Sequence, residues 1–206
     1  MVGVMRYSSA VAPVESDTML VLASASPRRQ ELLQRAGISF SVQPAGIAET
    51  LLPDEAPRQF AERLAQEKAA AVLAQRPKDV VLGADTIVVV DDEVMGKPKD
   101  AHDAIRMLRM LSGRSHQVIT GVCLAGAVPH DFVDARSETT TVTMSELTDE
   151  DIRVYVQTEE PMDKAGAYAI QGRASRWITR IEGDYFNVVG LPVTLVCRML
   201  REHGLA

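Results

Sequence analysis

The sequence of 206 residues has few cysteines, few aromatic residues and no long apolar run. Its two cysteines, Cys123 and Cys197, lie in apolar segments. They predict reduced core residues rather than a disulfide, which favours a cytoplasmic location. No apolar segment has the length that a membrane-spanning helix needs. The first eighteen residues lack the continuous apolar stretch of a signal peptide, so we expect none.

Positive charge and the common catalytic motifs are also scarce. The net charge is −6, which argues against a nucleic-acid polymer as a partner. A small phosphorylated ligand stays compatible with this charge, because local charge can oppose the net sign. The sequence contains no Walker A motif, no metal-binding spacing of Cys or His and no G-x-S-x-G nucleophile elbow. The four histidines are scattered and are assigned no catalytic role.

What is present has the composition of one globular domain, with 46% hydrophobic and 24% charged residues. Residues 1–18 differ from the rest, since a small, proline-containing stretch is followed by a polar one. We expect a poorly ordered N-terminal extension over 1–18 and a single domain over 19–206. Met19 directly precedes the first predicted strand and is our candidate for the natural start.

The segment Leu20–Arg29 (LVLASASPRR) predicts a buried strand, a tight turn and the start of a helix. Pro27 suits the first helical position, and Ser26 is a candidate N-cap. A helix start favours anions, and Arg28 and Arg29 add forked donors that match phosphate oxygens. The segment therefore predicts a phosphate cradle. The alternative is an ordinary capped helix with two solvated arginines.

Two charged residues lie in apolar patterns farther along the chain. Lys68 falls on the apolar stripe of a helix predicted over Pro57–Gln75, where it either snorkels at the edge or points into a site. Asp85 interrupts the apolar run Val80–Val90, which predicts a central strand. An ionised Asp there requires a cation, a hydrogen-bond network or a metal. The alternative is that Gly83 marks a bulge or strand break and Asp85 merely bonds to backbone.

Three further polar positions are candidates for the same site. Glu49 is a lone acid in a loop, and Lys97 follows a predicted hairpin, where a solvated lysine is the alternative. The segment Asp163–Gly172 has no clear periodicity and predicts a stretch where backbone approaches a ligand closely. Its Gln171 offers a donor and an acceptor that suit the edge of a nucleobase. The alternative is a glycine-bounded strand with an exposed Gln.

The remaining pattern predicts an α/β protein. Thr148 and Asp151 resemble a capping box. The other predicted elements are strands over Ser39–Val42, Gln117–Leu124, Thr139–Met144 and Trp177–Ile181, a helix over Ala101–Leu111, and a last helix with Pro192 in its first turn.

Together these residues indicate phosphate chemistry. Cations for a polyanion are combined with two acids, Glu49 and Asp85, and with the amide of Gln171. Carboxylates beside phosphate-binding cations suggest Mg²⁺ or Mn²⁺, since these ions prefer oxygen ligands. An Asp near such a metal can activate water or hold the metal that does so.

Six motifs in the same order resemble the Maf family of nucleoside triphosphate pyrophosphatases. The likeness runs from about Leu20 to the C-terminal helix. The motifs are S-x-S-P-R-R at Ser24–Arg29, G-A-D-T at Gly83–Thr86, G-K-P at Gly96–Pro98, S-G-R-x-H at Ser112–His116, D-K-A-G-A-Y-x-I-Q-G at Asp163–Gly172 and N-V-V-G-L-P at Asn187–Pro192.

This resemblance implies a Maf/inosine-triphosphatase-like fold, with a long twisted mixed sheet flanked by helices and two lobes around a central cleft. It implies hydrolysis of a nucleotide to the monophosphate and pyrophosphate, a divalent metal and a possible homodimer. Asp85 would accept the proton, and Glu49 would be a second acid near the metal. The phosphate-cleft residues would be Ser24, Arg28, Arg29, Lys68 and Lys97. Residues linked to base choice would be Arg28, Thr86 and Gln171.

Within the family, the sequence is similar to the dTTP/UTP branch. A sister branch that prefers 7-methyl-GTP tends to carry Gln after the catalytic Asp, where this sequence has Thr86. Ala169 stands where Gly is more usual, and we expect no change in chemistry from it. The alternatives are a 7-methyl-GTP pyrophosphatase and a nucleotide-binding regulator of septum formation with little turnover.

Overall fold

A computed structural model describes residues 19–127 and 130–205 of the chain. The expected extension over 1–18 therefore lies outside the described residues. None of the helices in the described ranges is both long and apolar enough to cross a membrane. The cysteines Cys123 and Cys197 carry free thiols, and burial raises the pKa of the Cys123 thiol to about 12.

Strands and helices alternate along most of the described chain. The strands are β1 Leu20–Leu22, β2 Ser41–Val42, β3 Val80–Val90, β4 Glu93–Met95, β5 Ser115–Gly126, β6 Phe132–Met144 and β7 Ile178–Glu182. The α-helices are α1 Pro27–Arg35, α2 Pro57–Leu73, α3 Ala101–Leu111, α4 Asp149–Val156, α5 Tyr185–Val189 and α6 Val193–Glu202. Short 3₁₀ helices cover Glu160–Asp163, Ala165–Ala167 and Arg173–Trp177.

The strands form one mixed seven-stranded sheet in the order β2-β1-β3-β5-β6-β7, with β4 paired to β3. Strands β2, β1 and β3 run parallel, whereas β3, β5, β6 and β7 are antiparallel neighbours. The chain is therefore an α/β protein, as the sequence pattern predicts.

Helices cover both faces of this sheet. Helix α2 packs on one face, where its Leu64 and Ala65 meet side chains of β3 and β5. The other face carries the larger core, to which α1, α3, α4 and α6 contribute. Burial on both faces explains why β3 is a nearly continuous apolar run rather than an alternating one.

Glycine in the central strands lets α2 approach the sheet closely. A Cβ atom on Gly83 would lie 2.0 Å from the carbonyl oxygen of Ala65, and one on Gly121 would lie 2.1 Å from that of Ala61. Strand β3 runs through Gly83 without a break. The alternative prediction of a strand break at this glycine is therefore wrong, and close packing is the physical reason for the residue.

Several element predictions are confirmed and others need correction. β3 and α3 have the predicted bounds, and the capping box of Thr148 and Asp151 is formed. Ser26 occupies the N-cap position of α1 but makes no capping hydrogen bond. Strand β6 begins at Phe132, well before the predicted Thr139. The first eight residues of β6 include no buried one, so no buried apolar pattern marks this half of the strand in the sequence. The segment over Asp163–Gly172 contains a 3₁₀ turn and no strand.

Candidate active site

The candidate site lies at a gap in the sheet. On one edge of β3, β1 pairs only as far as Leu82, and β4 begins to pair at Val88. Residues 83–87 therefore have no neighbouring strand on that edge within the described part of the chain. Side chains of a strand alternate between its faces, so Asp85 points toward α2 and Thr86 toward α1. The gap lets both side chains reach one space.

A cavity of about 470 Å³ occupies this space. The cavity lies at the carboxyl end of β1. Here the chain continues to β2 on one side of β1 and later to β3 on its other side. Ligands usually bind at such a point in open α/β sheets. All nine residues that the sequence analysis assigns to a site line it: Ser24, Arg28, Arg29, Glu49, Lys68, Asp85, Thr86, Lys97 and Gln171.

Lys68 joins the two predicted acids. Its Nζ atom lies 2.6 Å from Asp85 Oδ1 and 2.6 Å from Glu49 Oε1. Lys68 and Asp85 are buried, with 7% and 5% of their surface exposed, whereas the Glu49 side chain is 48% exposed. Lys68 therefore points into the site and does not snorkel to the surface.

The two acids share this lysine, but their pKa values shift in opposite directions. Burial raises the pKa of Asp85, although the charge and hydrogen bond of Lys68 act against the shift. Partial burial by itself would raise the pKa of Glu49. The hydrogen bond from Lys68 and the charges of Lys68 and Lys97 outweigh that effect and lower it. Two acids whose pKa values are shifted apart suit two different roles, one as a base and the other as a carboxylate that stays charged.

Arg29 is bound to protein groups on several sides. Its Nε donates to Gly190 O at 2.8 Å, and NH1 donates to Ala84 O at 2.9 Å and to Ser24 Oγ at 3.1 Å. NH2 donates to Thr86 Oγ1 at 2.9 Å. A guanidinium has five N–H donors, so these bonds leave one for other use. Arg29 thus connects α1, the open edge of β3 and the turn after α5.

Arg28 and Lys97 differ from Arg29 in this respect. In the described ranges, neither side chain donates a hydrogen bond or forms an ion pair, and both line the cavity. Among the residues that the structure describes, five cations and three acids line the cavity, which gives a positive local balance in a chain of net charge −6. The cations are Arg28, Arg29, Lys68, Lys97 and Lys164, and the acids are Glu49, Asp85 and Asp163.

The segment around Gln171 forms another part of the cavity lining. Gln171 itself is exposed, whereas Tyr168 and Ile170 are buried beside it. Tyr168 lines the cavity, and its hydroxyl lies 2.8 Å from His116 Nε2. Asp163, Lys164 and Tyr168 line the cavity as well but are not among the predicted site residues. Two signals in the sequence mark their segment, namely its unusual acid–base–glycine composition and the family motif D-K-A-G-A-Y-x-I-Q-G.

The oxygen donors of the cavity decide whether it suits a divalent metal. No cluster of three or more His, Cys, Asp or Glu side chains suited to a metal occurs among the residues that the structure describes. Two carboxylates, those of Glu49 and Asp85, nevertheless converge on one cationic nitrogen. Mg²⁺ commonly binds through one or two carboxylates together with substrate phosphates and water, so this pair fits such an ion.

An α/β domain whose cavity holds paired acids and surplus cations at the carboxyl end of a strand has the features of an enzyme for small phosphorylated substrates. Comparison with known sequences identifies its family. The family described as Maf-like protein matches residues 19–203, and the chain belongs to this family.

Close relatives carry one name. A dTTP/UTP pyrophosphatase from Koribacter versatilis is 58% identical over 90% of this chain and 95% of its own length. The dTTP/UTP pyrophosphatase from Bacillus velezensis is 47% identical over 90% of this chain and 97% of its own length.

A more distant likeness exists among solved structures. The nucleoside-triphosphatase (dITP/XTP pyrophosphatase) from Mycobacterium abscessus matches with a TM-score of 0.40 and 14% identity. The match covers 62% of this chain and 74% of that chain.

Proposed function

We propose that this protein hydrolyses dTTP and UTP to the nucleoside monophosphate and pyrophosphate. Relatives of 47–58% identity that cover about 90% of the chain are dTTP/UTP pyrophosphatases. The observation that carries the proposal in the structure is the contact of one buried lysine, Lys68, with two acids inside a cation-lined cavity.

In the proposed reaction, Asp85 accepts a proton from the water that attacks the phosphorus atom. A general base works best when its pKa approaches the working pH, and burial shifts the pKa of Asp85 upward in that direction. Lys68 keeps the carboxylate in place through its 2.6 Å contact. An ammonium group has three donors, so one remains for a phosphate oxygen.

Arg28, Lys97 and Ser24 would bind the phosphate groups directly. Arg28 and Lys97 have donors available in the cavity, and these charges would stabilise the negative charge that develops during transfer. Arg29 would act mainly by holding the Ser24 and Thr86 hydroxyls, since most of its donors are used. This proposal modifies the expectation that both arginines bind phosphate in the same way.

A divalent cation, Mg²⁺ or Mn²⁺, would be held by Glu49 and Asp85. Three of the cavity cations, Lys68, Lys164 and Arg29, already have acidic or polar protein partners. The two that remain, Arg28 and Lys97, would balance only part of the negative charge of a nucleoside triphosphate. When bound, such an ion polarises phosphoryl oxygens and lowers the pKa of a bound water.

Base selection would depend on Arg28, Thr86 and Gln171. The Thr86 hydroxyl is fixed by Arg29 and lies 3.0 Å from Thr120 Oγ1, so its orientation is set by the protein. Gln171 is exposed in the cavity wall, where its amide can meet a donor and an acceptor of a pyrimidine edge. We also propose, from the family resemblance, that the cavity is the cleft between two lobes, that the protein is a homodimer and that it is cytoplasmic.

The test is an assay of pyrophosphate release from dTTP, UTP, CTP and 7-methyl-GTP with Mg²⁺ or Mn²⁺. We expect turnover of dTTP and UTP, and a loss of at least about 100-fold in Asp85→Asn, since general-base catalysis contributes this much. Asp92→Asn, on the exposed hairpin turn, is the matched control and should keep full activity.

Three outcomes would contradict parts of this proposal. Tight nucleotide binding without pyrophosphate release would favour a regulator. A preference for 7-methyl-GTP would overturn the substrate assignment. Turnover in Asp85→Asn within a few-fold of the wild type would exclude Asp85 as the base.

A further inference from the structure

The segment that carries Gln171 is attached to two residues outside the cavity. The backbone N–H of Ala169 donates to the Tyr155 hydroxyl at 3.1 Å, and this hydroxyl donates to Glu160 Oε1 at 2.9 Å. Glu160 Oε1 also accepts the backbone N–H of Arg173 at 2.9 Å. Two hydrogen-bonded side chains therefore hold the backbone on both sides of Gln171.

We call the hydrogen-bonded pair Tyr155 and Glu160 the clamp. Glycine at position 172 leaves the space that its carboxylate needs. A Cβ atom there would lie 2.1 Å from Glu160 Oε1 and 2.5 Å from its carboxyl carbon. The φ of Gly172 is −103°, a value open to any residue, so its backbone conformation does not require glycine. The space next to Gly172 is instead filled by the Glu160 carboxylate.

The clamp is anchored in the protein interior. Tyr155 belongs to α4, is fully buried and has its ring 5.4 Å from that of Trp177 in an edge-to-face contact. Glu160 is half-buried and begins the following 3₁₀ helix. Neither side chain is among the described residues that line the cavity. Any effect of the two on substrate must therefore pass through the segment that they hold.

We propose that Tyr155 and Glu160 are positioning residues for nucleotide selectivity, which act by fixing the backbone on both sides of Gln171. This inference rests on the proposed function and on the base-reading role of Gln171. An exposed amide has little packing to orient it, so its direction depends on its own backbone. Asp85 and Lys68 are held by β3 and α2 and do not depend on the clamp.

The first test compares Glu160→Ala, Glu160→Gln and Tyr155→Phe. In Glu160→Ala, KM for dTTP should rise about five- to tenfold, the equivalent of one misaligned hydrogen bond. The preference in kcat/KM for dTTP over dATP should fall by the same factor, while kcat at saturating dTTP stays within about twofold. Glu160→Gln keeps an acceptor oxygen and should restore most of the preference. Tyr155→Phe keeps the ring contact and should give an intermediate loss.

Matched controls separate positioning from folding. Glu159→Gln changes the adjacent exposed acid and should leave all constants unchanged. Thermal unfolding of each variant shows whether the fold survives. A general structural defect would lower kcat for every nucleotide and leave the dTTP/dATP ratio as it is. That result would overturn the proposal.

The second test is a double-mutant cycle between Gly172 and Glu160. Gly172→Ala in the wild-type background must displace the carboxylate and should lower the preference as Glu160→Ala does. In the Glu160→Ala background the obstacle is absent, so Gly172→Ala should add little further loss. Additive losses would contradict the clamp.

Gln171→Ala distinguishes failure of this inference from failure of the proposed function. If the wild type does not hydrolyse dTTP, the proposed function fails. If Gln171→Ala lowers the dTTP preference but Glu160→Ala does not, only the clamp is refuted. If Gln171→Ala leaves the preference unchanged, the clamp has no base-reading residue to position and is refuted as well.

Discussion

Replacement of Lys68 by Met is the sharpest test of the site's electrostatics. The substitution keeps an unbranched apolar side chain on α2 but removes the ammonium between Glu49 and Asp85. Asp85 would then be a buried carboxylate without its closest cation. Loss of one partner from a buried ion pair costs about 3–5 kcal/mol, because an uncompensated charge remains in the interior.

The unfolding free energy at pH 7 should therefore fall by about 3–5 kcal/mol in Lys68→Met. For a chain of this length the corresponding drop in Tm is about 10 °C. Activity should also be lost, since the variant lacks the ammonium that holds the Asp85 carboxylate in place and offers a donor to a phosphate oxygen. Equilibrium urea unfolding and thermal unfolding measure the stability, and pyrophosphate release measures the activity.

The double variant Lys68→Met with Asp85→Asn identifies the cause. Removal of the buried charge should recover at least half of the lost stability, because the remaining acid, Glu49, is half-exposed and solvated. Lys78→Met, at an exposed lysine, is the control and should cost less than about 0.5 kcal/mol. A loss below about 1 kcal/mol in Lys68→Met, or a double variant as unstable as the single one, would refute the reasoning.

Three other predictions concern the surroundings of the site. Arg29→Lys loses the planar fork that links four acceptors, so kcat/KM should fall at least about tenfold; wild-type kinetics would contradict this. Gly83→Ala places a methyl group 2.0 Å from Ala65 O and should lower the unfolding free energy by about 1–3 kcal/mol; an unchanged urea midpoint would contradict it. Burial lowers the pKa of His116 to about 4 from 6.5, so the folded state binds fewer protons than the unfolded state. Stability present above pH 6.5 should fall by about 3 kcal/mol as the pH drops toward 4, and His116→Gln should flatten this slope in pH-dependent unfolding.

The sequence predicted best those site residues that contradict their local pattern. Asp85 in an apolar strand and Lys68 on an apolar helix stripe each required a partner, and the structure pairs them with each other. Burial of an unpaired charge is so unfavourable that residue type alone carries the information. The same reasoning gives a weaker signal for Glu49, because a loop acid is ordinary: its pattern made it only a candidate, and the family resemblance supplied its role near the metal.

Adjacent residues of one type show the limit of such reasoning. Arg28 and Arg29 are equivalent in a sequence pattern, which predicts phosphate binding for both. Neighbouring residues on a helix point about 100° apart, so one arginine can meet the sheet while the other meets the cavity. Arg29 is the one whose donors are taken by Ala84 and Gly190. Those carbonyls belong to distant parts of the chain, which no local pattern relates to the helix.

The position of the whole site depends on a difference in strand length. The last residue of β3 that pairs with β1 is Leu82, although β3 continues to Val90. β4 pairs with the same edge of β3 only from Val88 onward. If β1 were a few residues longer, it would cover the edge at Asp85 and Thr86, and Arg29 could not reach Ala84 O. Strand ends and register are the least local features of a sheet, since they depend on which residues of two distant segments meet. The gap therefore had to come from the structure, and it explains how side chains on opposite faces of β3 reach one cavity.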